Sequence, residues 1–97
     1  MTALRVLIVD DEPLARARLR TLLADCRAPA ALLMGEAASA VQAMEMLQHQ
    51  PVDAVLLDIH MPGATGLDLA RALRQAGAPA PAIVFVTAHT EHALTAF

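Results

Sequence analysis

Short unbroken apolar runs alternate along this chain with segments whose apolar residues recur every three or four positions. Runs bounded by turn residues predict strands covered on both faces, and the three-to-four spacing predicts amphipathic helices. The first run, Leu4 to Val9, stops at Asp10-Asp11-Glu12-Pro13. Pro13 suits the first turn of a helix, and acidic residues are favoured at a helix N-terminus. That helix is expected from about Leu14 to Asp25, with Ala15, Leu19, Leu22, Leu23 and Cys26 as its buried stripe and Arg16, Arg18 and Arg20 mostly on a solvated face. Leu32, Leu33 and Met34 predict a second, weaker strand at a sheet edge, with Gly35 and Glu36 at or near its end. Ser39 is placed to cap a helix from Ala40 to His49, whose Val41, Met44 and Leu47 should face inward.

Pro51 closes that segment, and Ala54-Val55-Leu56-Leu57 then runs straight into Asp58 before His60-Met61-Pro62-Gly63 force a loop. A third helix follows from Leu67 to Gln75 on the stripe Leu69, Ala70 and Leu73, stopped by Gly77. Ala82 to Val86 reads as a fourth strand ending at Thr87-Ala88, and Thr90 is placed to cap a further helix from Glu91. The alternation of strand and helix calls for an α/β fold: a doubly wound, flavodoxin-like parallel sheet in order 2-1-3-4, with right-handed crossovers.

Composition narrows the picture. A length of 97 residues allows one domain, residues 1–97. With 57% hydrophobic but only 2% aromatic residues, the core must be aliphatic. A net charge of −3 argues against a nucleic-acid surface within this segment. The single cysteine, Cys26, excludes an internal disulfide, fits a reducing compartment and reads as a small buried hydrophobe. The N-terminus lacks a signal-peptide pattern, and the longest uncharged stretch, Gln75 to Thr90, is broken by Gly77, Pro79 and Pro81. A cytoplasmic chain without a membrane partner is expected.

Asp58 alone would read as a loop cap. In order 2-1-3-4, however, Asp10 and Asp11 after the first strand, Asp58 after the third and Thr87 after the fourth meet beyond the carboxyl ends of neighbouring strands, where ligands collect in such sheets. Three crowded carboxylates repel one another, and a divalent cation with all-oxygen ligands, Mg²⁺ or Mn²⁺, relieves the conflict. The carbonyl of His60, rather than its ring, is the further candidate ligand. A carboxylate, a cation site and the Thr87 hydroxyl suit phosphoryl transfer onto Asp58, with the backbone N–H groups of Ile59 and Ala88 completing a cradle for phosphoryl oxygens.

With these residues in place, the sequence resembles the receiver domain of two-component response regulators. Val9-Asp10-Asp11-Glu12-Pro13, Leu57-Asp58-Ile59-His60-Met61-Pro62-Gly63 with Gly66 beyond, and Val86-Thr87-Ala88 stand in the family's order and spacing, over Leu4 to Phe97. The resemblance implies an Asp10/Asp11 pair with Asp11 directly on Mg²⁺. It implies Asp58 as phosphoacceptor from the phosphohistidine of a sensor histidine kinase, and Thr87 as the switch residue. It also implies a regulatory module rather than an enzyme. The segment Thr87 to Phe97 is similar to the LytR/AlgR branch, whose members carry a LytTR DNA-binding domain; DNA contact is expected only through such a domain, outside this chain. Family members continue into a fifth strand, which ends in a lysine, and a fifth helix. This chain, whose seven basic residues are all arginines, reads as a receiver lacking both elements. In consequence a homodimer is expected, by pairing at the fourth strand or by exchange of the segment around Thr87 to Phe97, or else another chain covers that edge.

Two further readings stay open at this level. One is a pseudo-receiver of the same fold that is not phosphorylated and acts as an interaction or dimerisation module. The other is a hydrolase with an aspartyl nucleophile, ranked last because such enzymes place a second aspartate where His60 stands.

Overall fold

The chain alternates as the pattern predicts. In a computed structural model that describes residues 3–27, 30–59, 66–75 and 80–86, the elements are β1 (Leu4–Val9), α1 (Pro13–Ala24), β2 (Ala31–Ala37), α2 (Ala40–His49), β3 (Ala54–Asp58), α3 (Gly66–Gln75) and β4 (Ala82–Val86). The four strands form one parallel sheet in the order β2-β1-β3-β4. Thr87, Ala88 and the helix expected from Glu91 lie outside the described residues, as does His60.

β1 lies inside the sheet, and Val6 to Val9 are all buried, which explains why its sequence shows no apolar–polar alternation. Leu7 and Val9 point to one face, where they join Val55 and Leu57 of β3, Ala40 and Ala43 of α2, and Leu69 and Leu73 of α3. Val6 and Ile8 point to the other face, the side on which α1 lies against β1 and β2. Helices therefore cover both faces, as doubly wound sheets require.

Ser39 caps α2 as expected: its Oγ accepts from the Gln42 N–H at 3.1 Å, while the Gln42 side chain accepts from the Ala38 N–H at 2.8 Å. The inner face of α2 is turned relative to the expectation. Ala40 and Ala43 are buried with Met44 and Leu47 partly so, whereas Val41 is 76% exposed. The two alanines bring the helix close to the sheet, and that places Val41 outside.

β2 runs to Ala37, so Gly35 and Glu36 sit near its end as expected. Its register against β1 shifts between Val6 and Leu7: Val6 pairs with Leu33 and Leu7 with Gly35, so Met34 is an extra residue. The Met34 carbonyl accepts from Gln50 Nε2 at 3.2 Å. A Cβ at Gly35 would overlap the Met46 methyl group. Glycine here marks a close approach within the strand, two residues before its end.

On α1 the expected stripe holds in part: Ala15, Leu19 and Leu23 are partly buried, though no residue of the helix is fully so. Leu22 is 59% exposed, and Cys26, expected in the buried stripe, is exposed beyond the end of the helix. Arg16 and Arg20, expected mostly on the solvated face, both pair with Glu36 of β2. Among the described residues no helix is long and apolar enough to cross a membrane.

Candidate functional site

Val9 and Leu57 are partners in the β1–β3 ladder, so the next residue on each strand, Asp10 and Asp58, emerges at the same edge of the sheet. Asp11 follows in the β1–α1 loop. One carboxylate oxygen from each of Asp10, Asp11 and Asp58 lies within 4.8 Å of the other two. Asp10 is buried, whereas Asp11 and Asp58 remain partly open to solvent. No second such group of three metal-ligating side chains occurs among the described residues.

The loop that presents Asp10 and Asp11 is held from three sides. The Asp10 N–H donates to the Ala37 carbonyl at the end of β2, 3.0 Å away. Asp10 Oδ1 accepts from the Glu12 N–H at 2.9 Å, which satisfies an amide at the start of α1, where the Glu12 side chain makes no cap. The Asp10 carbonyl accepts from Arg16 Nη1 at 2.7 Å. Asp10 thus spends one carboxylate oxygen on its own loop.

Asp58, the last residue of β3, stands opposite Val86, the last residue of β4. Ile59 follows it and is buried. The structure therefore brings together the three predicted carboxylates and places Ile59 directly after them. The other expected contributors, His60, Thr87 and Ala88, lie outside the described residues.

The donor set fits a hard divalent cation. Three carboxylates supply only oxygen, their mutual repulsion favours an ion between them, and the exposure of Asp11 and Asp58 leaves room for water or phosphate oxygens. Arg16 and Glu36 were not legible as neighbours of this site. Arg16 stands six residues after Asp10, and only the packing of α1 against β2 brings its guanidinium back to that carbonyl.

Residues 6–97 match the family described as the response regulator receiver domain. The chain belongs to that family. As a receiver domain it is 46% identical over 94 residues to the positive alginate biosynthesis regulatory protein of Pseudomonas aeruginosa, a match that covers 97% of this chain and 37% of that protein. It is 44% identical over 94 residues to the sensory transduction protein LytT of Enterococcus faecalis, covering 97% of this chain and 38% of LytT. These relatives agree with the LytR/AlgR-like character of the sequence. The chain thus spans well under half the length of the curated relatives it matches. Among solved structures, the response regulatory domain of protein mrkE from Klebsiella pneumoniae is 39% identical, with a TM-score of 0.79 over 96% of this chain and 74% of that one. The receiver domain's acidic cluster lies at the carboxyl ends of β1 and β3.

Proposed function

We propose that this receiver domain accepts a phosphoryl group on Asp58 from the phosphohistidine of a sensor histidine kinase, with Mg²⁺ or Mn²⁺, and thereby controls a transcriptional output domain. The convergence of Asp10, Asp11 and Asp58 carries the reading. An Asp58 carboxylate oxygen attacks phosphorus, the P–N bond to the imidazole breaks, and the electron pair returns to the ring nitrogen. Asp58 becomes an acyl phosphate, and the leaving imidazole takes up a proton from solvent.

Asp11, partly exposed, is the direct ligand for the cation, together with Asp58 and the carbonyl of His60. Asp10, with one oxygen engaged by the Glu12 N–H, supports them. When bound, the cation neutralises charge on the transferring oxygens. The backbone N–H groups of Ile59 and Ala88 are assigned to the same oxygens, and the Thr87 hydroxyl to the switch. The names of the relatives, a positive alginate biosynthesis regulatory protein and a sensory transduction protein, support an output in gene control. Contact with DNA is assigned to a LytTR-type domain outside these 97 residues, and the acting species to a homodimer.

The test is incubation with acetyl phosphate and Mg²⁺, followed by intact-mass measurement of the protein. One stable phosphoryl group per chain is expected, lost on chelation and in Asp58→Ala. No labelling of the wild type would make the domain a pseudo-receiver acting as an interaction module. Steady release of phosphate without a stable adduct would make it a hydrolase.

A further inference from the structure

Arg16 bonds to the acidic loop and is oriented at both ends. Its Nη1 donates to the Asp10 carbonyl at 2.7 Å, while its Nε lies 3.6 Å from Glu36 Oε1. Its side chain is only 20% exposed, against 54% for Arg20, which meets the same carboxylate from the outside at 2.6 Å. A guanidinium keeps its charge and offers donors in a rigid planar fork, so it can serve two acceptors at a set angle. The Asp10 carbonyl belongs to the peptide unit that leads into Asp11. Fixing that oxygen fixes the direction in which the chain enters Asp11.

We infer that Arg16, itself held by Glu36, is a positioning residue for the cation site, keeping the Asp10–Asp11 peptide where both carboxylates face Asp58. Arg16 touches neither the cation nor the phosphoryl group; it acts through the main chain. The role rests on the metal-dependent reading given above. It has a sign that distinguishes it from simple electrostatics. A positive charge near a cation site should weaken cation binding, so deletion of that charge alone would tighten it. Loss of positioning does the opposite.

The chain has no tryptophan, so the readout is the free-ion signal of Mn²⁺ in electron paramagnetic resonance, with Mg²⁺ as competitor. Arg16→Met should bind Mn²⁺ roughly tenfold more weakly than wild type, the usual scale for losing an orienting partner. Arg16→Lys, which keeps the charge but not the fork, should fall between the two. Arg20→Met loses the same charge and the same Glu36 partner but no bond to Asp10, and should bind at least as tightly as wild type. Wild-type or tighter affinity in Arg16→Met overturns the role, and so does the same result in Arg16→Lys should the methionine variant not fold. Asp11→Asn keeps the two failures apart. If wild type binds and Asp11→Asn does not, only the positioning role is at stake in the Arg16 variants. If wild type and Asp11→Asn bind alike, the metal reading itself is wrong and the inference falls with it.

Discussion

Arg5 and Asp53 clasp each other at the end of the sheet away from the acidic cluster. The Asp53 carboxylate accepts from the Arg5 backbone N–H at 2.8 Å and from the Arg5 guanidinium at 3.2 and 3.1 Å. The Asp53 N–H returns a bond to the Arg5 carbonyl at 2.8 Å, and the Asp53 carbonyl accepts from the Ala82 N–H at 3.0 Å. One residue thereby aligns the starts of β1, β3 and β4. The side-chain bonds from Arg5, then its backbone N–H, hold the Asp53 carboxyl below the ordinary carboxylate range, and the pairing raises Arg5.

A pH dependence with a definite sign follows. Because the Asp53 pKa is lower in the folded chain, its contribution is complete above the unfolded value, about 4, and is lost as pH falls through the folded value. Urea unfolding of wild type and Asp53→Asn should differ by a constant amount above about pH 5 and converge below about pH 4. The difference should be small and sensitive to salt, since both side chains are partly exposed. An unchanged difference at acid pH would remove Asp53 as its source.

At the acidic end, Asp11→Asn should weaken Mg²⁺ binding markedly and Asp10→Asn less, because an asparagine oxygen can still accept from the Glu12 N–H. Crowding adds a second signature. Without metal, Asp11→Asn should melt above wild type, because one of three mutually repelling carboxylates is gone. With millimolar Mg²⁺ the order should reverse, since a bound ion stabilises only the chain that holds it. Equal Mg²⁺ affinity in both proteins would refute the ligand assignment.

The core makes a prediction by contrast. Leu57 is fully buried between helices and sheet, whereas Leu22 is mostly exposed on α1. Leu57→Ala should lose about 2–5 kcal/mol and Leu22→Ala less than about 0.5 kcal/mol. Ser39→Ala should cost about 1 kcal/mol by uncapping α2. Chemical denaturation checks all three; a large loss in Leu22→Ala would mean that α1 is buried in solution by a partner copy.

A partner copy is expected at β4 instead. Among the described residues β4 pairs only with β3, and its sequence Ala82-Ile83-Val84-Phe85-Val86 has no charge to discourage pairing with another strand. Leu14 at 76% and Val84 at 46% exposure add apolar surface. The 97-residue chain should sediment as a dimer at micromolar concentration, with Val84→Lys shifting it toward monomer. A sharp wild-type monomer that unfolds cooperatively would exclude this.

The strand–helix alternation, the order β2-β1-β3-β4, the Ser39 cap and the meeting of Asp10, Asp11 and Asp58 were all legible in the sequence. Each depends on something local: an apolar run stopped by turn residues, a hydroxyl before a helical stripe, a carboxylate at the end of a buried strand. Parallel crossover rules then carried those strand ends to one edge. Tertiary contacts decided the rest. A helical period says that one face is buried but not which neighbour claims it, so the phase of α2 was set by the fit of Ala40 and Ala43 against the sheet, leaving Val41 outside. On α1, Arg16 and Arg20 pair with Glu36, a charge on a different element that no helical period reveals. Likewise, Gly35 reads only as a residue near a strand end, and the Met46 methyl that needs its missing Cβ comes from a different element. Spacing along a chain encodes a segment's own geometry; the rotation and reach of that segment depend on partners far away in sequence, and those exist only after folding.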